Sequence, residues 1–278
     1  MNYYSTLLIF TLILGVTALL LYIIYNFYQT IKIKKIVNLP FTKEYIRILK
    51  QIPIYSNLNK QEKEKIHKSI LLFINTKEFI GIKTDINDEI KIVIAFHACL
   101  LLLHTKINNC YDNLKIIIIY PHTILTNQIN SNGGIYTKSD FLLEGQSAND
   151  TVVISWHDAK KDAYHPKNDN VILHEFAHEI DFMSGEIDGT PPLAYSKYNE
   201  WAITLSKEFN ELKDAYAKNR YLGRFKLIGE YASTNEAEFF AVITERFFES
   251  PDSFKHNFPD LYKELRNFYY IDTENFTS

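Results

Sequence analysis

The pattern of apolar and polar positions changes character near residue 35. From Ser5 to Phe27 the chain reads STLLIFTLILGVTALLLYIIYNF, 23 residues with no charge and no polar face. At about 1.5 Å per residue, a helix of this length crosses roughly 30 Å of hydrocarbon. Tyr3 and Tyr4 stand at one end and Tyr22, Tyr25 and Tyr28 at the other, where aromatic rings meet lipid headgroups. Lys32, Lys34 and Lys35 follow, and no Lys or Arg precedes them. A cleaved signal peptide begins with basic residues and has a shorter apolar stretch, so residues 1–35 read as a retained single-span anchor with a basic flank. Positive residues stay cytoplasmic, which predicts an outward N-terminus and a cytoplasmic domain over residues 36–278.

Beyond the anchor the pattern becomes that of a globular domain. FTKEYIRILKQI and LNKQEKEKIHKSILLFINTKEF read as helices, the second with Ile66, Ile70, Phe73 and Ile74 at helical spacing. NDEIKIVIAFHACLLLLH reads as a third, strongly apolar helix. LKIIIIY, closed by Pro121, and TVVISW read as short buried strands, with Gly133–Gly134 predicting a hairpin between them. Helical periodicity returns from Val171. The expected class is α+β: one mainly helical domain with a small sheet, preceded by one transmembrane helix. Composition changes this picture little. A hydrophobic fraction of 46% supports a substantial core, and a net charge of −3 argues against a nucleic-acid partner. Two cysteines make no disulfide framework and fit a reducing compartment.

Chemistry enters at VILHEFAHEIDF, residues 171–182. His174 and His178 are four apart, so on a helix both imidazoles project from one face and can share a single zinc ion. Glu175 lies about 100° round from His174, where its carboxylate can act as general base without occupying a ligand position. This is the H-E-x-x-H arrangement of metallopeptidases. Asn168, Asp169 and Asn170 are candidate N-caps, and Ser184-Gly185 a stop.

A catalytic zinc takes three protein ligands. A third histidine at the H-E-x-x-H-x-x-G-x-x-H position is excluded, because Asp181 and Ser184 stand there. The candidates are Glu238, then Glu245, then His256 or an upstream histidine. Glu238 falls in the first turn of a helix expected from about Asn235 to Glu249, which a Ser233–Glu236 capping box would start. Asp181 reads either as a carboxylate orienting a ligand imidazole or as a solvated charge. His157 and His165 read as loop histidines near the cleft, and Phe239, Phe240, Phe247 and Phe248 as core. The Val152–Trp156 strand reads as an edge for an extended peptide.

Three blocks in order, VVISWHDA, VILHEFAHEID and TNEAEFFAVITERFFE, resemble the MtfA family of zinc peptidases, and so does much of the remaining soluble sequence. The resemblance implies a gluzincin-like, zincin-type fold with aminopeptidase-type activity and one zinc ion per chain held by His174, His178 and Glu238. It also implies a transition-state role for Tyr231, in the Y-A-x-T segment. Peptides are the implied substrate, a transcriptional regulator the implied partner, and the bacterial cytoplasmic membrane the location given the anchor. The anchor departs from the best-known family pattern, and Asn235-Glu236 stands where an Asn/Asp-Pro is usual.

Overall fold

The computed structural model describes residues 3–106, 110–122, 150–167, 169–220 and 223–276. The chain divides into two units, Met1–Pro40 and Phe41–Ser278. The first is helix α1, Tyr3–Val37, whose apolar side chains are exposed from Leu7 to Ile33. Within its Leu7–Val37 portion an 18-residue stretch reaches a mean hydropathy of 2.8, and the helix is long and apolar enough to cross a membrane.

The second unit is mainly helical, as the sequence pattern predicts. It opens with α2 (Lys43–Leu49), α3 (Pro53–Asn57) and α4 (Lys60–Thr76). Asn59 starts α4 with a reciprocal cap: its side chain accepts from Glu62 N at 3.0 Å, and Glu62 accepts from Asn59 N at 2.8 Å. Strand β1 (Glu78–Gly81), helix α5 (Asp88–Leu102) and strand β2 (Ile116–Tyr120) follow, then β3 (Thr151–Ser155) and α6 (Trp156–Tyr164). The remainder is helical: α7 (Val171–Phe182), α8 (Tyr198–Ala217), α9 (Glu236–Glu249), α10 (Pro251–Asn257) and α11 (Pro259–Tyr269).

The three strands form one sheet in the order β1-β2-β3, and both pairings are parallel. This overturns the expected hairpin between β2 and β3, because a hairpin joins antiparallel strands and parallel ones need a crossover. The Gly133–Gly134 pair lies outside the described residues, as does the candidate cap Asn168. Elements absent from the sequence reading also appear. Glu78 and Phe79, taken as the end of a helix, belong to the strand Glu78–Gly81 that pairs with β2, and Trp156, taken as strand, begins α6.

Alternate residues of β2 and β3 point into the core: Ile117 and Ile119, Val152 and Ile154 are all fully buried. Helix α5 is buried nearly all round, which explains its lack of a polar face. Phe176 of α7 packs against Tyr111 and Phe73 at ring-centroid distances of 5.0 and 5.6 Å. On α9, Phe239, Phe240, Phe247 and Phe248 are buried as expected, meeting Phe209, Trp201 and Tyr262. Helices α7 and α9 lie side by side, with α5 and β3 also against α7.

Candidate metal centre

Helix α7 begins at Asn170, whose side chain accepts from Leu173 N at 3.1 Å. One turn on, the rings of His174 and His178 lie 4.9 Å apart, with their Nε2 atoms separated by 3.3 Å. The third group comes from α9. Its N-cap is Asn235, which accepts from Glu238 N at 2.9 Å. The predicted Ser233–Glu236 box does not form. Tyr231–Ser233 makes a turn of 3-10 helix in which the Ser233 hydroxyl donates to Glu230 O, so the cap falls two residues on, at Asn235, and α9 starts at Glu236. Glu238 is therefore the third residue of α9, the place from which a carboxylate can turn back to cap. Instead its Oε2 lies 3.0 Å from His174 Nε2 and 3.3 Å from His178 Nε2.

These three atoms have the spacing of a zinc donor set. Tetrahedral zinc with bonds of about 2.1 Å separates its ligands by roughly 3.4 Å. The observed separations of 3.0, 3.3 and 3.3 Å match that spacing, and the set is two imidazole nitrogens and one carboxylate oxygen. The same three residues form a group able to hold a metal ion. Burial pushes the His174 pKa down, but hydrogen bonds to Glu238 and Glu245 outweigh it and lift it to about 10. Burial likewise raises Glu238, yet the two histidines hold it well below the usual carboxylate range.

Glu245 is not a ligand in this arrangement. Seven residues beyond Glu238, it sits about 10 Å further along α9, which carries it behind His174. Its Oε1 accepts from His174 Nδ1 at 2.7 Å, leaving the Nε2 lone pair for the site, and its Oε2 accepts from Asn170 N at 2.8 Å. Asn170 also donates through Nδ2 to Glu249 Oε1 at 2.9 Å, so one residue caps α7 and joins it to two turns of α9. The sequence carried a signal for Glu245 in its i, i+7 spacing from Glu238 and marked Asn170 as a candidate cap of α7, but gave none for the link of Asn170 to α9.

Asp181 is fully buried but does not bond a ligand ring. Its Oδ2 accepts from Gly189 N at 2.7 Å, while its Oδ1 and His178 Nδ1 have no hydrogen-bond partner among the described residues. The Tyr231 ring lies 5.9 Å from that of His174. Burial first, and then the Glu238 carboxylate, raise its hydroxyl far above the ordinary phenol range, so it stays protonated. Glu175 is partly exposed on α7, and its charge acts on both His174 and Tyr231. His157, in the first turn of α6, His165, at its end, and His256, in α10, are not members of the ligand group.

Comparison with known proteins points to a metallopeptidase. The sequence profile of the glucose-regulated metallo-peptidase M90 family matches residues 28–270. "Uncharacterized protein slr2042" of Synechocystis sp. is 31% identical over 274 residues, 96% of this chain and 97% of that protein. Mlc titration factor A of Cronobacter sakazakii is 26% identical over 229 residues, covering 78% of this chain and 82% of the relative. Its Klebsiella pneumoniae counterpart is 27% identical over 232 residues, covering 80% and 83%. The chain therefore belongs to the MtfA family of metallopeptidases, the M90 group.

Proposed function

We propose that this chain is a membrane-anchored zinc peptidase whose ion is held by His174, His178 and Glu238. The observation that carries the reading is the convergence of two imidazole nitrogens and one carboxylate oxygen within 3.3 Å of one another. Zinc, when bound, supplies Lewis acidity toward water and the scissile carbonyl. The side chains supply the rest. Glu175 takes the proton of the attacking water and passes it to the leaving amine. Tyr231, still protonated, donates to the carbonyl oxygen as negative charge gathers there. Glu245 keeps His174 in the tautomer that offers Nε2. Among the described residues β3 is at a sheet edge, and it packs against α7; an extended peptide laid along it would lie beside the site.

The cleavage mode we propose is aminopeptidase-like. α1 is read as the single-pass anchor in a bacterial cytoplasmic membrane, with Lys32, Lys34 and Lys35 keeping the peptidase unit in the cytoplasm. A digest of free and N-terminally blocked peptides by the full-length protein in detergent, with and without zinc, tests the activity. Zinc-dependent cleavage of free peptides alone is expected. Equal cleavage of both would replace aminopeptidase with endopeptidase, and no cleavage of either would remove the enzymatic reading.

A second reading rests on the name of the Mlc titration factor A relatives, which points to a transcriptional regulator as partner. A tethered chain would draw such a regulator to the membrane surface. Recruitment that survives Glu175→Gln would separate this role from catalysis.

A further inference from the structure

The histidines and Glu238 come from different helices, so something must set α7 and α9 at the right height. The segment leaving α7 returns to the start of α9 at Gly189. Its N–H is held by buried Asp181 of α7 at 2.7 Å, and its carbonyl accepts from buried Trp201 Nε1 of α8 at 3.1 Å. The Gly189 backbone has φ +82°, and a Cβ placed on it would stand 2.5 Å from Glu236 O and 2.9 Å from Glu236 C. Glu236 is the first residue of α9, two before Glu238. The Gly189 peptide is thus pinned on both sides and pressed flat against the turn that carries the carboxylate ligand.

We propose that Asp181 and Gly189 are positioning residues for the metal centre: their bonded peptide is the spacer that sets Glu238 against His174 and His178. The inference rests on the metal reading above. Its scale follows from the geometry. An ordinary contact for the added carbon begins near 3.4 Å, so a side chain at 189 must push the Glu236 carbonyl away by about 0.9 Å. That carbonyl belongs to the helix backbone and cannot swing aside as a flexible side chain would. A metal site tolerates displacements of only about 0.2 Å. Gly185 supplies an internal control, because it also has positive φ, +108°, yet a Cβ there meets nothing within 4 Å. Substituting it introduces backbone strain without a collision.

The test is zinc affinity, read on full-length protein in detergent by competition with a chromophoric chelator. Gly189→Ala and Asp181→Ala are expected to weaken zinc at least about tenfold. Gly185→Ala, and Asp181→Asn, which keeps an acceptor for the Gly189 N–H, should stay within about threefold of the native protein. A folded Gly189→Ala chain with native affinity would overturn the proposal, and so would an equal loss in Gly185→Ala. If Gly189→Ala does not fold, the Asp181 pair decides: equal affinity in Asp181→Ala and Asp181→Asn refutes the spacer. Failure of the metal reading is seen separately, as native protein without zinc or His178→Ala binding zinc normally, and it would remove the proposal as well.

Discussion

Replacing Glu245 by Ala should weaken zinc binding although Glu245 is not placed among the ligands. The side chains of Glu245 and His174 are only 6% and 7% exposed, so neither finds water as a substitute partner. The substitution strips the acceptor from two donors, His174 Nδ1 at 2.7 Å and Asn170 N at 2.8 Å. A buried donor left unsatisfied costs about 1–3 kcal/mol, so the two together predict a stability loss of about 2–6 kcal/mol. The effect on the metal is distinct. With Nδ1 unheld, the ring can turn or present the wrong tautomer, and loss of such a partner weakens metal binding by about 10–100-fold, or about 1.4–2.7 kcal/mol. Glu245→Gln retains one acceptor and should fall between native and Ala. The assay is titration of the full-length protein against a zinc-selective chelator, paired with thermal unfolding with and without zinc. Should Glu245→Ala remain folded and hold zinc as tightly as the native chain, the orienting role would be refuted.

Glu175→Gln should keep its zinc yet lose about 10²–10⁴-fold in kcat, since it removes a proton acceptor and leaves the ligands alone; native turnover would discard Glu175 as the base. Tyr231→Phe should lower kcat by about 10²–10³-fold with zinc content unchanged, and an unchanged kcat would leave Tyr231 only a packing role. Glu249 supplies a pH test. Burial lifts its pKa to about 8, above the ordinary 4.5, so the stability this group contributes is complete below about 4.5 and lost as pH rises through 8. Glu249→Gln should therefore raise stability at pH 7 by about 3 kcal/mol and flatten that decline, and unfolding curves at pH 5 and pH 8 that shift equally would contradict it.

The features legible in the sequence are those set by local pattern. The 23-residue uncharged run becomes one continuous helix, and the His174–His178 spacing becomes one helix face. Glu238 was readable because a carboxylate among Ala237, Phe239 and Phe240 on a buried helix demands a partner. What escaped depends on tertiary context. Four residues of β1 are too few to show a period, and they are strand only because β2 lies beside them. Whether β2 and β3 run parallel is decided by the path of the chain between them, on which a Gly-Gly pair is silent. Ser233 offers the same cap chemistry as Asn235, and the 3-10 turn at Tyr231 chose between them. Asp181 carried the expected partner type to an unexpected address: from the same helical face it reaches the Gly189 N–H and not an imidazole.

Metal content settles the central claim most directly. Full-length protein dialysed against trace zinc and analysed by atomic emission should hold one zinc per chain. Glu175→Gln should hold the same amount, and His178→Ala and Glu238→Ala should each hold almost none. A folded Glu238→Ala protein that retains a full equivalent of zinc would contradict the account.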